Sequence, residues 1–250
     1  MTHQSSRISP GTAQTRAFQN TLWGRVLAAG KLDSSQSHHA IEELCCLYRY
    51  PIYVFIRRSE QDRQRARDLT QGFFQYVLER KLFGKADPER GRFRSFLIGV
   101  LKNYLRGEYD KERTLRRGGG VEIVSLDEEV AEGCYAHEPA TNLTPEKLMD
   151  RRWALVVLEQ AMGRLQAEYS RSGMKELFTE LQPYLSGAGT GSFAELGTRL
   201  NRSEGAARVL VFRHKERFRQ LIRAVIADTV SDPEQVEVEL KHLQAALREN

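Results

Sequence analysis

The sequence predicts an all-α protein, and three observations carry that reading. Outside residues 1–17 and 118–143, apolar residues recur at helical spacings of three and four. Ser, Thr, Asp and Gly stand where such segments begin or end, as capping requires. No stretch alternates apolar and polar residues for long enough to build a sheet. The 250 residues suffice for one large domain or two small ones with a proper core.

Residues 1–17 are rich in Ser, Thr and Gln without a period and predict a disordered start. Phe18, Leu22, Trp23, Val26 and Leu27 mark a first helical segment, which Gly30 closes. A second runs over 37–58 with Leu44, Leu47, Tyr48, Ile52 and Phe55 on its buried side; Pro51 is expected to kink or divide it. Ala66, Leu69, Phe73, Tyr76, Val77 and Phe83 place a third over 62–82, followed by the turn Asp87-Pro88-Glu89-Arg90-Gly91.

Residues 92–113 are the most periodic of all. Phe93, Phe96, Leu97, Val100, Leu101, Tyr104 and Leu105 form an oily side, and Arg94, Lys102, Asn103, Arg106 and Arg113 are assigned to a cationic one. Gly118-Gly119-Gly120 breaks this helix, and the acidic stretch to Asn142 reads as an extended linker. Thr144-Pro145-Glu146 reopens a helix with an N-cap and a first-turn proline; Trp153, Val156, Val157, Ala161 and Leu165 line its buried face. A short helix at 174–185 precedes the loop 186–191. Ser192-Phe193-Ala194-Glu195 is a capping box opening a helix to Leu200. Asn201-Arg202-Ser203 turns, and Ser203 caps a long helix reaching Asp228. Asp232-Pro233 opens a tail helix with Val236, Leu240, Leu243 and Leu247 on one seam, read as intramolecular core and as a candidate cover for the surface of the preceding helices.

Several function classes are excluded by composition and motif. No apolar run approaches the ~20 residues that cross a bilayer, so no membrane-spanning protein is expected. Residues 1–19 lack the apolar stretch of a secretory signal, and Cys45, Cys46 and Cys134 form no CxxC pair, which together predict a cytoplasmic, reduced location. No GxxxxGK[ST], HExxH or GxSxG occurs, so neither enzyme activity nor a cofactor is expected. His38-His39 near Cys45-Cys46 lacks a zinc-ligand spacing, since adjacent ligands on a helix diverge by ~100°. Asp127-Glu128-Glu129 reads as a solvated linker run, and no metal site is expected.

The formal net charge of +5 is modest, but it is unevenly placed. Residues 85–117 hold ten Lys/Arg against five acids, residues 118–150 one Lys against eight, and residues 192–223 eight Lys/Arg against three. Two basic blocks flanking an acidic one point to a polyanionic partner that touches the chain at two places.

The short helix, three-residue turn and longer helix over 192–228 have the arithmetic of a helix-turn-helix. Leu196 and Leu200 pack the first helix; Ala207, Leu210 and Val211 pack the second. Ser203, Glu204, Arg208, Phe212 and Arg213 are left facing outward, where Arg can read guanine and Glu can accept from cytosine. His214 on the same helix reads as solvated or as a phosphate contact. Phe93, Arg94 and Phe96, with Lys102 and Asn103, interleave rings and cations as a single-stranded site requires; the plainer reading makes Phe93 and Phe96 core.

Leu47-Tyr48…Pro51-Ile52-Tyr53, Asp68-Leu69-Thr70-Gln71-Gly72-Phe73-Phe74 and Arg92-Phe93-Arg94-Ser95-Phe96-Leu97…Lys102-Asn103-Tyr104-Leu105 resemble the region 2 helices of bacterial RNA polymerase sigma factors of the extracytoplasmic-function (ECF) group. Residues 192–223 resemble their region 4. The likeness is greatest to a long planctomycete-type subgroup, through Asp87–Phe96, the triple glycine, Arg151-Arg152-Trp153-Ala154-Leu155 and the Asp232–Val236 tail. It covers about residues 20–247.

The resemblance implies a disordered start at 1–17, a region 2-like domain at 18–117, an acidic linker at 118–143, a region 4-like domain at 144–228 and a C-terminal helix at 229–250. It implies core RNA polymerase and promoter DNA as partners, with room for a regulatory protein such as an anti-sigma factor or kinase, and no membrane or small-molecule substrate. Asp68, Gln71, Phe74 and Gln75 would meet the clamp helices of the largest polymerase subunit. Arg90, Arg92, Phe93, Arg94, Lys102, Asn103 and Arg106 would hold the melted −10 strand, and Ser203, Glu204, Arg208, Phe212 and Arg213 the −35 duplex. The acidic linker would occupy a basic polymerase channel. A stand-alone helix-turn-helix regulator, and a sigma-fold protein that binds polymerase without initiating, remain alternatives. Gly72, Gly197, Ala207, Leu210 and Phe212 depart from the pattern common in ECF factors.

Overall fold

The computed structural model describes residues 35–60, 62–82, 93–114, 143–187, 191–230 and 234–248. Every regular element among them is helical: α1 (Ser35–Ser59), α2 (Arg63–Glu79), α3 (Phe93–Thr114), α4 (Pro145–Arg171), α5 (Lys175–Leu181) with a 3₁₀ turn (Gln182–Tyr184), α6 (Phe193–Arg199), α7 (Glu204–Ala227) and α8 (Gln235–Arg248). The disordered start, the segment at 18–29, the Asp87–Gly91 turn and the acidic linker lie outside the described residues. No described helix is long and apolar enough to cross a membrane.

The chain divides into two compact units, one comprising residues up to Leu155 together with those from Ala227 onward, the other Val156–Ile226. The first turns of α4 and the whole tail helix thus group with the N-terminal helices, where the sequence reading placed them with or after the second domain. Long-range side-chain contacts explain the grouping: Glu146 of α4 pairs with Lys102 of α3, and Glu239 of α8 pairs with Arg94 of α3.

In the first unit, α1 runs unbroken through Pro51. Proline removes one backbone donor, but Leu47, Tyr48, Ile52, Tyr53, Val54, Phe55 and Ile56 are all buried on either side of it, and that packing outweighs the loss. Asp62 caps α2 by accepting from the Arg65 amide at 2.7 Å. Ala66, Leu69, Phe73 and Val77 then bury the stripe that their spacing predicts. Where α2 meets α3, a Cβ on Gly72 would collide with the Tyr104 hydroxyl. The Tyr104 ring is packed by Phe73 and Tyr76, with centroids 5.7 and 5.3 Å away, so a bulkier residue at 72 requires that ring to swing aside. The far ends are tied at Glu60, which accepts from Tyr109 at 2.5 Å and from Arg65 at 3.0 Å.

In the second unit, Leu181, Tyr184, Leu196, Ala207 and Val211 form a cluster flanked by Tyr169, Leu177, Phe193, Leu200 and Leu210. Arg217 of α7 grips Glu168 of α4 through two nitrogens, at 2.6 and 2.9 Å. The hydrogen bonds from Arg217 hold the Glu168 carboxyl below its ordinary range. The pair is largely exposed, so it fixes geometry more than it adds stability.

Candidate nucleic-acid interface

The turn between α6 and α7 is built from chain-local chemistry. Ser192 Oγ accepts from the Glu195 amide at 3.2 Å and opens α6. At the other end Asn201 takes a left-handed conformation (φ 52°), and its amide donates to Thr198 O while Arg202 donates to Gly197 O at 2.8 Å. Those two bonds make a Schellman cap, which stops α6 after two turns. Ser203 then caps α7 by accepting from the Ala206 amide at 3.2 Å.

Gly197 lies inside α6, where glycine ordinarily costs ~1 kcal/mol relative to alanine. Here it is the place where the turn folds back onto α6: a Cβ there would stand 2.7 Å from the Arg202 carbonyl oxygen and 3.3 Å from the Glu204 nitrogen. Bare backbone meets backbone, and that close approach sets the start of α7.

On α7, Ala207 and Val211 are buried, whereas Ser203, Glu204, Arg208, Phe212 and Arg213 are all exposed, Phe212 at 63%. The five proposed duplex contacts are therefore all open to solvent on the first three turns, with Arg208 and Arg213 diverging by ~140° around the helix. Arg208 bonds Glu204 at 3.0 Å and lies 5.2 Å from the Phe193 ring centroid. These exposed contacts cost little to exchange for a base edge. Val209, 47% exposed, joins this surface unforeseen. With Leu177, Leu200, Leu210 and Arg213 it lines an open groove beside the turn.

His214 is neither solvated nor a phosphate contact. It is 1% exposed, its Nδ1 lies 3.0 Å from the Tyr169 hydroxyl, and its ring meets those of Tyr169 and Phe178 at 5.4 and 5.9 Å. Burial pushes its pKa down to about 4 from the ordinary 6.5. A histidine buried neutral favours folding fully above pH 6.5, and that contribution is lost as pH falls from 6.5 towards 4, because the unfolded chain takes up the proton first. Wild type is expected to lose about 2 kcal/mol between pH 7.5 and pH 5 from this group. Melting curves at the two pH values check it: His214→Phe should lose markedly less than wild type over the same interval.

The first unit sorts its proposed contacts differently. Asn103 and Arg106 are exposed, and Lys102, half-exposed, donates to Glu146 at 2.8 Å. Phe93 is core, its ring edge-on to Tyr48 at 5.2 Å. Phe96 is half-buried. Arg94 is also inside, at 5% exposure: it pairs with Asp150 at 2.9 Å and Glu239 at 3.0 Å, and its guanidinium lies 4.2 Å from the Trp153 ring centroid. The assignment of Phe93 and Arg94 to a nucleic-acid-facing side is thus corrected for this conformation. Arg94 lies seven residues before Leu101 and eleven before Leu105, close to whole numbers of turns, so it belongs to the apolar stripe. That spacing was available in the sequence; the charge of the side chain concealed it. Arg90 and Arg92 lie outside the described residues, as does the side chain of Arg113.

No family model, curated protein or solved structure matches this chain. The site must therefore be read from its own chemistry. Asp68, Gln71, Phe74 and Gln75 fall within one side of α2, Asp68 exposed and the others half-buried. Asp68 accepts from Gln64, and Gln75 donates to Glu79 at 2.7 Å, so polar groups there are held in place rather than loose. Among the described residues no cluster of His, Cys, Asp or Glu could hold a metal ion. Burial raises the Cys45 thiol to about 12, which leaves it protonated and unreactive at neutral pH. The assembled features are a cationic, partly apolar helix end at the start of α7 and a partly exposed strip of Asp68, Gln71, Phe74 and Gln75 on α2.

Proposed function

We propose that the chain is an ECF-like sigma factor that binds core RNA polymerase and directs promoter recognition and melting. The observation that carries this reading is the outward set Ser203, Glu204, Arg208, Phe212 and Arg213 at the start of α7, behind a turn fixed by Gly197 and Asn201. Such a helix end offers a guanidinium for guanine, a carboxylate for cytosine and an aromatic surface for a thymine methyl. The order of motifs resembling region 2 and region 4 supports the same reading, and the α2 strip supplies a surface for polymerase.

Run-off transcription with reconstituted bacterial core polymerase tests it. Promoter-dependent transcripts are expected, and duplex binding without polymerase association would favour a stand-alone regulator instead. Burial of Phe93 and Arg94 favours one further reading, a sigma-fold protein that binds polymerase and does not initiate. Polymerase capture with no transcript at any promoter is its signature.

Within the sigma reading, Arg208→Ala is expected to cost about 1–3 kcal/mol at a single base position of the −35 element. A uniform loss across sequences, with a shallower salt slope, would mean that Arg208 meets only phosphate. Competition binding against single-base variants of the site makes the measurement.

A further inference from the structure

We infer that the second half of α7 is a phosphate rail, in which Lys215, Arg219 and Arg223 hold the backbone of the duplex whose bases the start of the helix reads. The inference rests on the duplex role proposed for Glu204, Arg208 and Phe212, and extends it. α7 has 24 residues and is therefore ~36 Å long, whereas a major groove is ~12 Å wide and a recognition helix reads bases with its first turns. Arg223 follows Arg208 by fifteen residues, which carries it ~22 Å further along the axis. The later turns of α7 therefore stand over the rim of the groove, where the phosphates are.

The helical wheel divides the cations of this half by what they face. Lys215 and Arg219 fall ~20° to either side of Arg208, and Arg223 falls ~60° from it. Arg219 and Arg223 are exposed, and Lys215 is half-buried. Arg217 points the opposite way, ~180° from Arg208, and is engaged by its two bonds to Glu168. The far side of α7 thus uses its cation to join α4, while the near side continues the face of Arg208 and Phe212.

Helix stability does not account for the row. Lys215, Arg219 and Arg223 succeed one another at four-residue spacing, so each step sets like charges side by side, which destabilises a helix. None of them lies in the last turn, where a cation would favour the helix dipole. From Arg208 to Arg223 there are six basic residues and a single acid, Glu216, which meets Arg219 at 3.2 Å on the surface. An exposed pair of this kind exchanges readily for another oxyanion. The row matches a phosphate backbone, which arginine holds through parallel donors and lysine as a point charge.

The test uses the full chain and needs no promoter. Labelled duplexes of about 30 base pairs and random sequence are titrated from about 50 to 200 mM salt, where phosphate contacts dominate affinity. Wild type is compared with Lys215→Gln, Arg219→Gln, Arg223→Gln and the triple variant, and with Lys241→Gln, which removes an equal charge from α8. Each single variant should lower the slope of log K on log salt by ~0.9 and the triple variant by ~2.7, alike for every duplex sequence. Lys241→Gln should leave the slope unchanged. Arg219→Gln removes two like-charge steps, so its melting temperature should hold or rise while its binding falls. A binding loss that follows a fall in melting temperature would make the row structural and overturn the rail. An unchanged slope in the triple variant, an equal loss in Lys241→Gln, or no duplex binding by wild type at the lowest salt overturns it too. Loss of polymerase capture with an unchanged duplex slope would assign the row to an acidic protein surface instead. Should the slopes fall as expected while wild-type holoenzyme opens no promoter, the sigma reading fails and the rail stands.

Discussion

Gly197→Ala is expected to cost the second unit about 2 kcal/mol or more and to weaken duplex binding by at least about tenfold. The new methyl would sit 2.7 Å from the Arg202 carbonyl oxygen, 3.2 Å from the Ser203 carbonyl carbon and 3.3 Å from the Glu204 nitrogen. None of these atoms belongs to a flexible side chain. Relief requires the turn to move as a body, which would break the Arg202-to-Gly197 hydrogen bond and tilt the first turn of α7. The five outward side chains ride on the first three turns of α7, so a tilt of the helix start moves them and stability and recognition fall together. Gly163→Ala provides the contrast. That glycine also lies inside a helix, but nothing stands within 4 Å of the position its Cβ would take. There the same substitution should stabilise by about 0.5–1 kcal/mol, the ordinary gain of alanine over glycine in a helix. Denaturant unfolding of both variants settles the matter; equal effects of the same sign would mean that the turn does not depend on Gly197.

The pair of glycines shows what can be read from local sequence and what cannot. The starts of α6 and α7 were legible because Ser192 and Ser203 are capping residues followed by apolar stripes at helical spacing, and both caps are made. The outward position of Arg208 and Phe212 followed from the same wheel that buries Ala207 and Val211. Long-range packing overrode local expectation elsewhere. Pro51 was expected to kink or divide α1, and the buried run on both sides of it carries the helix through undivided. His214 was judged by residue type and taken for a surface group, although it falls three residues after Val211 and seven after Ala207, on the buried face. Arg94 was misplaced for the same reason, a charge in an apolar stripe taken for a surface residue, and its partner Glu239 drew no reading at all. The place of α8 in the first unit has no local signature at all, since it depends on a contact between residues 94 and 239.

Trp153→Ala is expected to be the most damaging single change in the first unit, at about 3–5 kcal/mol. Trp153 is the largest fully buried side chain among the described residues, 1% exposed, and its removal leaves a void that the surrounding helices can fill only in part. A second loss adds to the first. The Arg94 guanidinium rests 4.2 Å from the indole centroid, and a desolvated cation over such a ring gains about 2 kcal/mol from it. Without the ring, Arg94 loses the surface that positions it between Asp150 and Glu239. Trp153→Phe separates the two contributions, because it keeps an aromatic face under the cation while giving up part of the volume. It should cost clearly less than the alanine variant and leave amide exchange in α8 near the wild-type rate, whereas Trp153→Ala should speed it. Far-UV circular dichroism is the appropriate probe of unfolding, since Trp153 is one of only two tryptophans and its fluorescence disappears with it. A loss below about 1 kcal/mol for Trp153→Ala would be incompatible with a packed core at this position. Faster α8 exchange in Trp153→Phe equal to that in Trp153→Ala would show that volume, not the cation over the ring, holds Arg94 and thereby the tail.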